Sequence, residues 1–305
     1  MSRTRQLMDE LRTRLGGAAP LPPPEPLPRV PYPPVQIFAK RHEEKSRYAQ
    51  EVAPHTTALL GIGHVGTRYA TDIILQFQAE LAVAHEAVEA ELDLEWAVSQ
   101  NLLPVRSRVA DHREFLLRPD LGRRLSDDSV TLLNAKAPKD IDVQPILADG
   151  LSAVACRQSG LALLEAFTRA CESRGLRVGT PICAKYARVW LEDEIGEVVR
   201  AKVAAILLGE RPGLGTGDGL SAYLVYAPAI GKTDGDRNMM SNIHARGTVP
   251  AVAGDRLAVL ARAMIDQKTS GVSLDLSQLT AQLGDAASRT PRAPQERVRL
   301  VEVHR

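Results

Sequence analysis

One stretch, residues 205–247, constrains the fold more than any other part of the chain. A short apolar run at 204–208 ends in a Gly-Glu-Arg-Pro turn, which is typical of a buried strand. Four glycines follow within seven residues and permit positive φ and close approach of backbone N–H groups to a ligand: Gly213, Gly215, Gly217 and Gly219. A second strand-like run at 223–226 precedes a polar segment at 234–243. The stretch therefore predicts one wall of a site for a large, phosphate-bearing ligand.

Strands and helices alternate around this stretch. The apolar run at 143–148 predicts a strand, and Asp149 to Ser152 open a helix that runs to about Cys171. Further strands are predicted at 177–180 and 182–190, and helices at 191–199 and 252–270, with Gly271 as the cap of the last helix. This alternation predicts an α/β fold with a mainly parallel, Rossmann-like sheet and a ligand site at the carboxyl ends of the strands.

The N-terminal part of the chain has a different pattern. Apolar positions keep helical spacing from Tyr69 to Val88, and helices are also predicted at 92–103 and after Asp127. Before them, residues 2–15 form an amphipathic pattern joined to the fold by a proline-rich linker at 18–34. Such a short helix is either disordered or docks on a partner.

These patterns divide the chain into four predicted segments. Residues 1–45 are an amphipathic helix and proline-rich, disordered tail, and 46–135 a small helical domain. Residues 136–290 are the α/β ligand-binding domain, and 291–305 are a basic C-terminal tail.

Composition excludes several classes of protein. The net charge is +1 and only 4% of residues are aromatic, which argues against nucleic-acid binding. The sequence has no apolar signal core and no run near the roughly 20 residues that span a bilayer, so we expect a cytoplasmic protein without membrane contact. The cysteines Cys156, Cys171 and Cys183 are widely spaced, which predicts reduced, buried thiols rather than disulfides or a zinc site.

No motif in the chain predicts independent catalysis or a metal site. A phosphate-loop reading of Gly231-Lys232-Thr233 fails because position 226 is Tyr where that loop needs glycine. The nucleophile-elbow pattern around Ser152 has Val154 in place of its last glycine, so Ser152 is better read as a helix cap. The acidic residues at 192–197 have no histidine near them and are read as a solvated helix start.

The motif RPDLGRRL at 118–125 leaves two interpretations open. Its arginines Arg118, Arg123 and Arg124 could hold carboxylates of a partner or a phosphate. They could equally form a solvated turn with one local ion pair to Asp120.

Several long motifs, in order along the chain, resemble the small (light) subunit of ethanolamine ammonia-lyase over roughly residues 46 to 272. They are RPDLGRRL at 118–125, DVQPILADGLS at 142–152, RVGTPICAKYARVWLEDEIGEVV at 177–199, GERPGLG at 209–215, the spacing D-x-L-x-x-Y-x-x-Y at 218–226, and DRNMMSNIHARG at 236–247. The resemblance implies an adenosylcobalamin-dependent lyase of two chains that converts ethanolamine to acetaldehyde and ammonia by a radical mechanism. It implies a hetero-oligomer in which the large (heavy) subunit carries the catalytic residues. It also implies that the N-terminal helix can associate with a bacterial microcompartment.

The resemblance assigns three cofactor contacts to this chain. Val189 is expected to pack against the corrin, although it could be an ordinary strand valine. Glu210 is expected to accept hydrogen bonds from the cofactor, although it could instead pair with Arg211. Met239 stands where family members can have Cys, which keeps a polarisable contact but adds bulk.

The motif Asp-x-His-x-x-Gly, whose histidine replaces the lower axial base of cobalamin, is absent from the chain. We therefore expect the cofactor to bind with its own nucleotide base on cobalt. The alternative function is a non-catalytic binding or assembly subunit of the same fold that does not bind cobalamin.

Overall fold

A computed structural model describes residues 51, 64–213, 217–245, 247–277 and 279. Its main feature is a mixed sheet of six strands in the order β3-β5-β4-β6-β7-β8. The strands are β3 (Leu103–Arg106), β4 (Val143–Ala148), β5 (Ile182–Lys185), β6 (Val203–Gly209), β7 (Leu220–Tyr226) and β8 (Arg237–Ile243). The first four in this order are parallel, and β7 is antiparallel to both of its neighbours. A two-stranded hairpin, β1 (His64–Val65) and β2 (Arg68–Tyr69), lies outside this sheet.

Helices cover both faces of the sheet. The α-helices of six or more described residues are α1 (Thr71–Glu89), α2 (Leu94–Ser99), α3 (His112–Leu117), α4 (Asp127–Lys136), α5 (Leu161–Ser173), α6 (Leu191–Val199) and α7 (Pro250–Gln267). A short helical turn at Ala153–Ala155, capped by Ser152, and a π-helical turn at Cys156–Gly160 lead into α5. Alternate residues of β6 point to opposite faces, so Leu207 joins the core beneath α5 and α7 while Ile206 joins the core beneath α4 and α6. The strongly apolar composition of β4 and β6 follows from this burial on both faces.

The predicted α/β class, with mostly parallel strands, is confirmed. The strand at 143–148 and the helix at 191–199 begin and end where they were predicted. The domain boundaries and the Rossmann-like description stay predictions, and the predicted tails, 1–45 and 291–305, lie outside the described residues. None of the described helices is long and apolar enough to cross a membrane.

Several local predictions were wrong. The strand expected at 182–190 ends at Lys185 because the chain turns at Tyr186, whose φ is +56°. The segment at 177–180 contributes only an isolated bridge at Val178. The helix expected at 92–103 ends at Ser99, and the residues after it form β3, which joins the main sheet. Lys268 in the left-handed region caps α7, whereas Gly271 begins a 3-10 turn.

Candidate functional site

The carboxyl ends of the parallel strands open into a cleft with a volume of about 580 Å³. Segments following β4, β5 and β6 form its floor and one wall, and residues of β7 and β8 form the other. The lining residues are Arg123, Gly150, Leu151, Ala187, Arg188, Val189, Trp190, Leu208, Gly209, Glu210, Arg211, Ser221, Tyr223, Asp234, Met239 and Ser241. The cleft therefore lies at the edge where a parallel sheet places its ligand.

Close backbone packing fixes the floor of the cleft. Gly150, with φ +53°, follows β4, and a Cβ added there would lie 2.3 Å from the carbonyl oxygen of Gly209. A Cβ added to Gly209 would in turn lie 2.3 Å from the carbonyl oxygens of Asp149 and Ser152. Two glycines thus allow the ends of β4 and β6 to meet directly under the cleft.

All three residues assigned by resemblance line this one cleft. Val189 is half-buried and packs against the sheet core, and Met239 is 54% exposed. The half-buried carboxylate of Glu210 accepts hydrogen bonds from the Ser221 hydroxyl and, at 3.3 Å, from the Asn242 N–H. Among the described ion pairs there is none between Glu210 and Arg211, although that pairing was the alternative for Glu210. Contact of these residues with a cofactor stays a prediction.

Both interpretations of the motif RPDLGRRL, a local surface ion pair and arginines available to a ligand, hold for different arginines. Arg118 forms the local ion pair with Asp120 at 2.7 Å, on the surface. Arg124 instead binds Glu194, 70 residues away, at 3.0 Å. The Arg123 guanidinium lies 4.3 Å from the centre of the Trp190 ring and lines the cleft, so one arginine of the motif is available to a ligand.

A second arginine, Arg188, enters the cleft from the turn after β5. Its Nη2 donates to the Phe115 carbonyl oxygen at 2.8 Å, and its guanidinium lies 4.1 Å from the Phe115 ring centre. Its Nε is buried and has no hydrogen-bond partner among the described residues. Burial lowers the pKa of Arg188 from its ordinary value; Asp149 opposes this effect, and Arg123 and Arg211 add to it. An unpaired donor at the cleft wall suits a ligand oxygen.

The acidic start of α6 was predicted to be solvated, and this prediction was wrong. Glu192, Asp193 and Glu194 are 0%, 3% and 7% exposed. Arg237 on β8 bonds Glu192 at 2.8 Å and Asp193 at 2.7 Å, and its own side chain is 2% exposed. Burial raises the pKa of Glu192 and of Asp193, although the Arg237 guanidinium acts in the opposite direction on both. The signal for this burial in the sequence was Arg237, the single arginine in the DRNMMSN motif. Its partner Asp193 lies more than 40 positions earlier in the chain.

A buried carboxylate beneath the cleft was also missed by sequence reasoning. Asp149 is 5% exposed, and its two oxygens accept the backbone N–H groups of Tyr186 at 2.6 Å and Ala187 at 2.9 Å. Burial raises its pKa to about 7, against the backbone donors that favour the charged form. The sequence pattern predicted only that this residue lies at the start of a helix.

Two predictions about nucleophiles are confirmed. The Ser152 hydroxyl accepts the Ala155 N–H at 3.1 Å and donates to the Gly217 carbonyl oxygen at 2.9 Å, so it caps its helix. The three cysteines are buried free thiols, and burial raises the pKa of Cys171 and of Cys183 to about 12. The described residues contain no group of three or more His, Cys, Asp or Glu side chains that could hold a metal ion.

Comparisons with known proteins agree with the motifs. A model of the family described as ethanolamine ammonia-lyase light chain (EutC) matches residues 46–275. The ethanolamine ammonia-lyase small subunit of Fusobacterium nucleatum subsp. nucleatum is 40% identical to the chain over 238 residues. That alignment covers 78% of this chain and 79% of the relative.

Proposed function

We propose a function for this chain on the premise that it belongs to the ethanolamine ammonia-lyase light chain family. Together with a large subunit it converts ethanolamine to acetaldehyde and ammonia, and its cleft forms part of an adenosylcobalamin site. The observation that carries the proposal is the meeting of Val189, Glu210 and Met239 in one cleft, from three separate segments of the chain.

The residues of the cleft fit the chemistry of this cofactor. Cobalamin presents apolar corrin edges, amide and hydroxyl groups, and a phosphodiester. Val189 and Met239 supply apolar and polarisable contacts, Glu210 supplies acceptor oxygens, and Arg188 holds a buried Nε without a partner among the described residues. A cleft of about 580 Å³ suits a ligand of drug size, and cobalamin is larger than that. The chain would therefore enclose one part of the cofactor, and the large subunit the rest.

When bound, adenosylcobalamin supplies radical chemistry that begins with homolysis of its cobalt–carbon bond. The residues of this chain bind and orient the cofactor. Glu210 and the arginines hold polar groups at fixed positions, while Val189 and Trp190 exclude water from one side of the cleft. The resemblance implies that the catalytic residues belong to the large subunit.

The base of the cofactor is proposed to stay on cobalt. The chain lacks the displacing motif, and His244, in the polar segment, is buried and bonded to Asn242 Oδ1 at 2.6 Å. An absorption spectrum of cobalamin bound to the two-chain complex tests this point, and a base-off spectrum would contradict it.

The decisive experiment measures ethanolamine deamination with the matching large subunit and adenosylcobalamin, and omits each component in turn. Activity that requires all three supports the proposal. A stable two-chain complex that binds no cobalamin would favour a non-catalytic assembly role. Association with a microcompartment depends on residues 1–45, so deleting them should abolish co-localisation with the shell and leave deamination unchanged.

A further inference from the structure

Asp149 joins two strand ends beneath the cleft. It directly follows β4, and its carboxylate reaches across to the turn after the neighbouring strand β5. There it accepts the consecutive N–H groups of Tyr186 and Ala187, while its own N–H donates to the Ala184 carbonyl oxygen at 3.3 Å. This side chain therefore acts as a clamp between β4 and the turn.

The clamped turn is one that a non-glycine residue does not adopt without support. Tyr186 has φ +56°, in the left-handed region, which costs free energy for a residue with a Cβ. Its ring stacks on Phe115 at 5.7 Å between centroids, but the backbone N–H groups at the turn are bonded by Asp149. The carboxylate satisfies these buried donors and offsets the strain.

The four residues from Ala187 to Trp190 line the cleft immediately after this turn. They include Val189 and Arg188, so the path of the chain through the turn sets where both side chains stand. A displacement of about one ångström at the turn would also displace Arg188 and Val189 at the cleft wall, where contact geometry determines affinity.

Backbone groups, not side-chain cations, hold the carboxylate. Lys185, the nearest ammonium, bonds Glu91 at 2.8 Å, and the Arg188 guanidinium is bound to the Phe115 carbonyl oxygen. The thiols of Cys156 and Cys183 and the phenol of Tyr186 complete the titratable groups that face Asp149. Their pKa values are all raised, with burial as the largest cause, so they stay neutral at pH 8.

We propose that Asp149 is a positioning residue of the cofactor site: its carboxylate fixes the turn at Tyr186 and Ala187 and thereby holds Arg188 and Val189 at the cleft wall. The inference rests on the proposed function, because it assigns this wall to adenosylcobalamin. Asp149 does not line the cleft, so it acts on the cofactor only through the turn.

The test compares Asp149→Asn with Asp142→Asn in the complete two-chain complex at pH 8. Asp142 lies just before the start of β4, away from the cleft, and is also buried. Its carboxylate accepts a hydrogen bond from the Arg177 N–H at 2.8 Å and forms an ion pair with Lys202 at 2.8 Å. In Asp149→Asn the amide N–H₂ faces a backbone donor and one hydrogen bond is lost. We expect the KM for adenosylcobalamin to rise about tenfold or more, with kcat at saturating cofactor unchanged. Asp142→Asn should change neither constant.

A second readout is independent of activity. Hydrogen–deuterium exchange of the complex without cofactor should become faster at residues 186–190 in Asp149→Asn and stay unchanged there in Asp142→Asn. Should Asp149→Asn fail to fold, exchange in the unmodified complex decides the question. The Tyr186 and Ala187 amides should then be as protected as those of β5.

Two results would overturn the inference while the unmodified complex still requires adenosylcobalamin for activity. One is an Asp149→Asn complex with unchanged KM and unchanged exchange. The other is rapid exchange of the Tyr186 and Ala187 amides in the unmodified complex. Loss of the cofactor requirement in the unmodified complex would instead refute the proposed function.

Discussion

The buried charges at the start of α6 lead to a strong prediction for stability. Replacing Arg237 with Met removes the one guanidinium that bonds both Glu192 and Asp193, whose side chains are 0% and 4% exposed. Methionine fills similar volume, so the change chiefly removes charge and hydrogen bonds. It leaves two carboxylates next to each other in a site that water does not reach.

The magnitude follows from the contacts that are lost. Arg237 donates three hydrogen bonds of 2.7 to 2.8 Å to carboxylate oxygens. At about 1.5–3 kcal/mol for each bond to a charged group, their sum sets an upper limit. Protonation of one carboxylate relieves part of this cost, and removing one partner of a buried ion pair typically costs about 3–5 kcal/mol. We therefore expect the free energy of unfolding to fall by about 3–5 kcal/mol at pH 7.

The assay is urea denaturation of the purified chain, followed by circular dichroism. The matched control is Arg169→Met, which breaks an exposed ion pair with Glu165 within α5 and should leave the midpoint unchanged. The loss in Arg237→Met should shrink as the pH falls, since the unpaired carboxylates have raised pKa values and stabilise the fold only when protonated. An Arg237→Met midpoint equal to that of Arg169→Met would refute the reasoning.

Three further predictions concern affinity, pH and packing. Glu210→Ala removes the acceptor for the Ser221 hydroxyl and a polar contact of the cleft. It should weaken adenosylcobalamin binding to the two-chain complex by about tenfold in an absorbance titration. Unchanged affinity would exclude Glu210 from the site. The pKa of Asp149 is raised by burial to about 7 from an ordinary value of 3.8, so the pH-dependent part of its contribution to folded stability is fully present below pH 3.8 and is lost as the pH rises through about 7, while the hydrogen bonds from the Tyr186 and Ala187 N–H groups to its carboxylate remain at pH 8. The free energy of unfolding of the unmodified chain, minus that of Asp149→Asn, should therefore decrease between pH 4 and pH 8 in urea titrations, and a difference independent of pH would contradict the assignment. Gly254→Ala places a Cβ 2.7 Å from the Phe167 backbone nitrogen on the neighbouring helix and should cost about 1–3 kcal/mol by urea denaturation, whereas Gly235→Ala, with its nearest neighbour at 3.7 Å, should cost less than about 0.5 kcal/mol; equal losses would show that α5 and α7 can separate freely.

The candidate site could be predicted in part. The strand end at 209–211 correctly indicated the edge of the sheet where the cleft lies, whereas the described glycines Gly213, Gly217 and Gly219 do not line it. The motif resemblance selected Val189, Glu210 and Met239, and the fold brings them together. Arg188 and Trp190 were expected within a strand, because nothing local shows that Tyr186 takes a left-handed backbone and ends β5 early.

The prediction of a solvated helix start at 192–197 failed for a tertiary reason. A helix start rich in Glu and Asp favours solvent exposure and the positive end of the helix dipole, so the local pattern at 192–194 predicts a surface. Burial of these residues depends on Arg237 and Arg124, which lie far away in sequence and are brought to α6 by the fold.

Alternating apolar runs, turn residues and helix caps were enough to determine the α/β class, β4, α6 and the cap at Ser152, since each depends on residues only a few positions apart. The order of the strands and the burial of charge were decided by the tertiary structure. So was the bond from Asp149 to the turn 37 residues later. Such contacts stabilise the protein only when the packed sheet holds both partners in place, and no local sequence pattern identifies the partner.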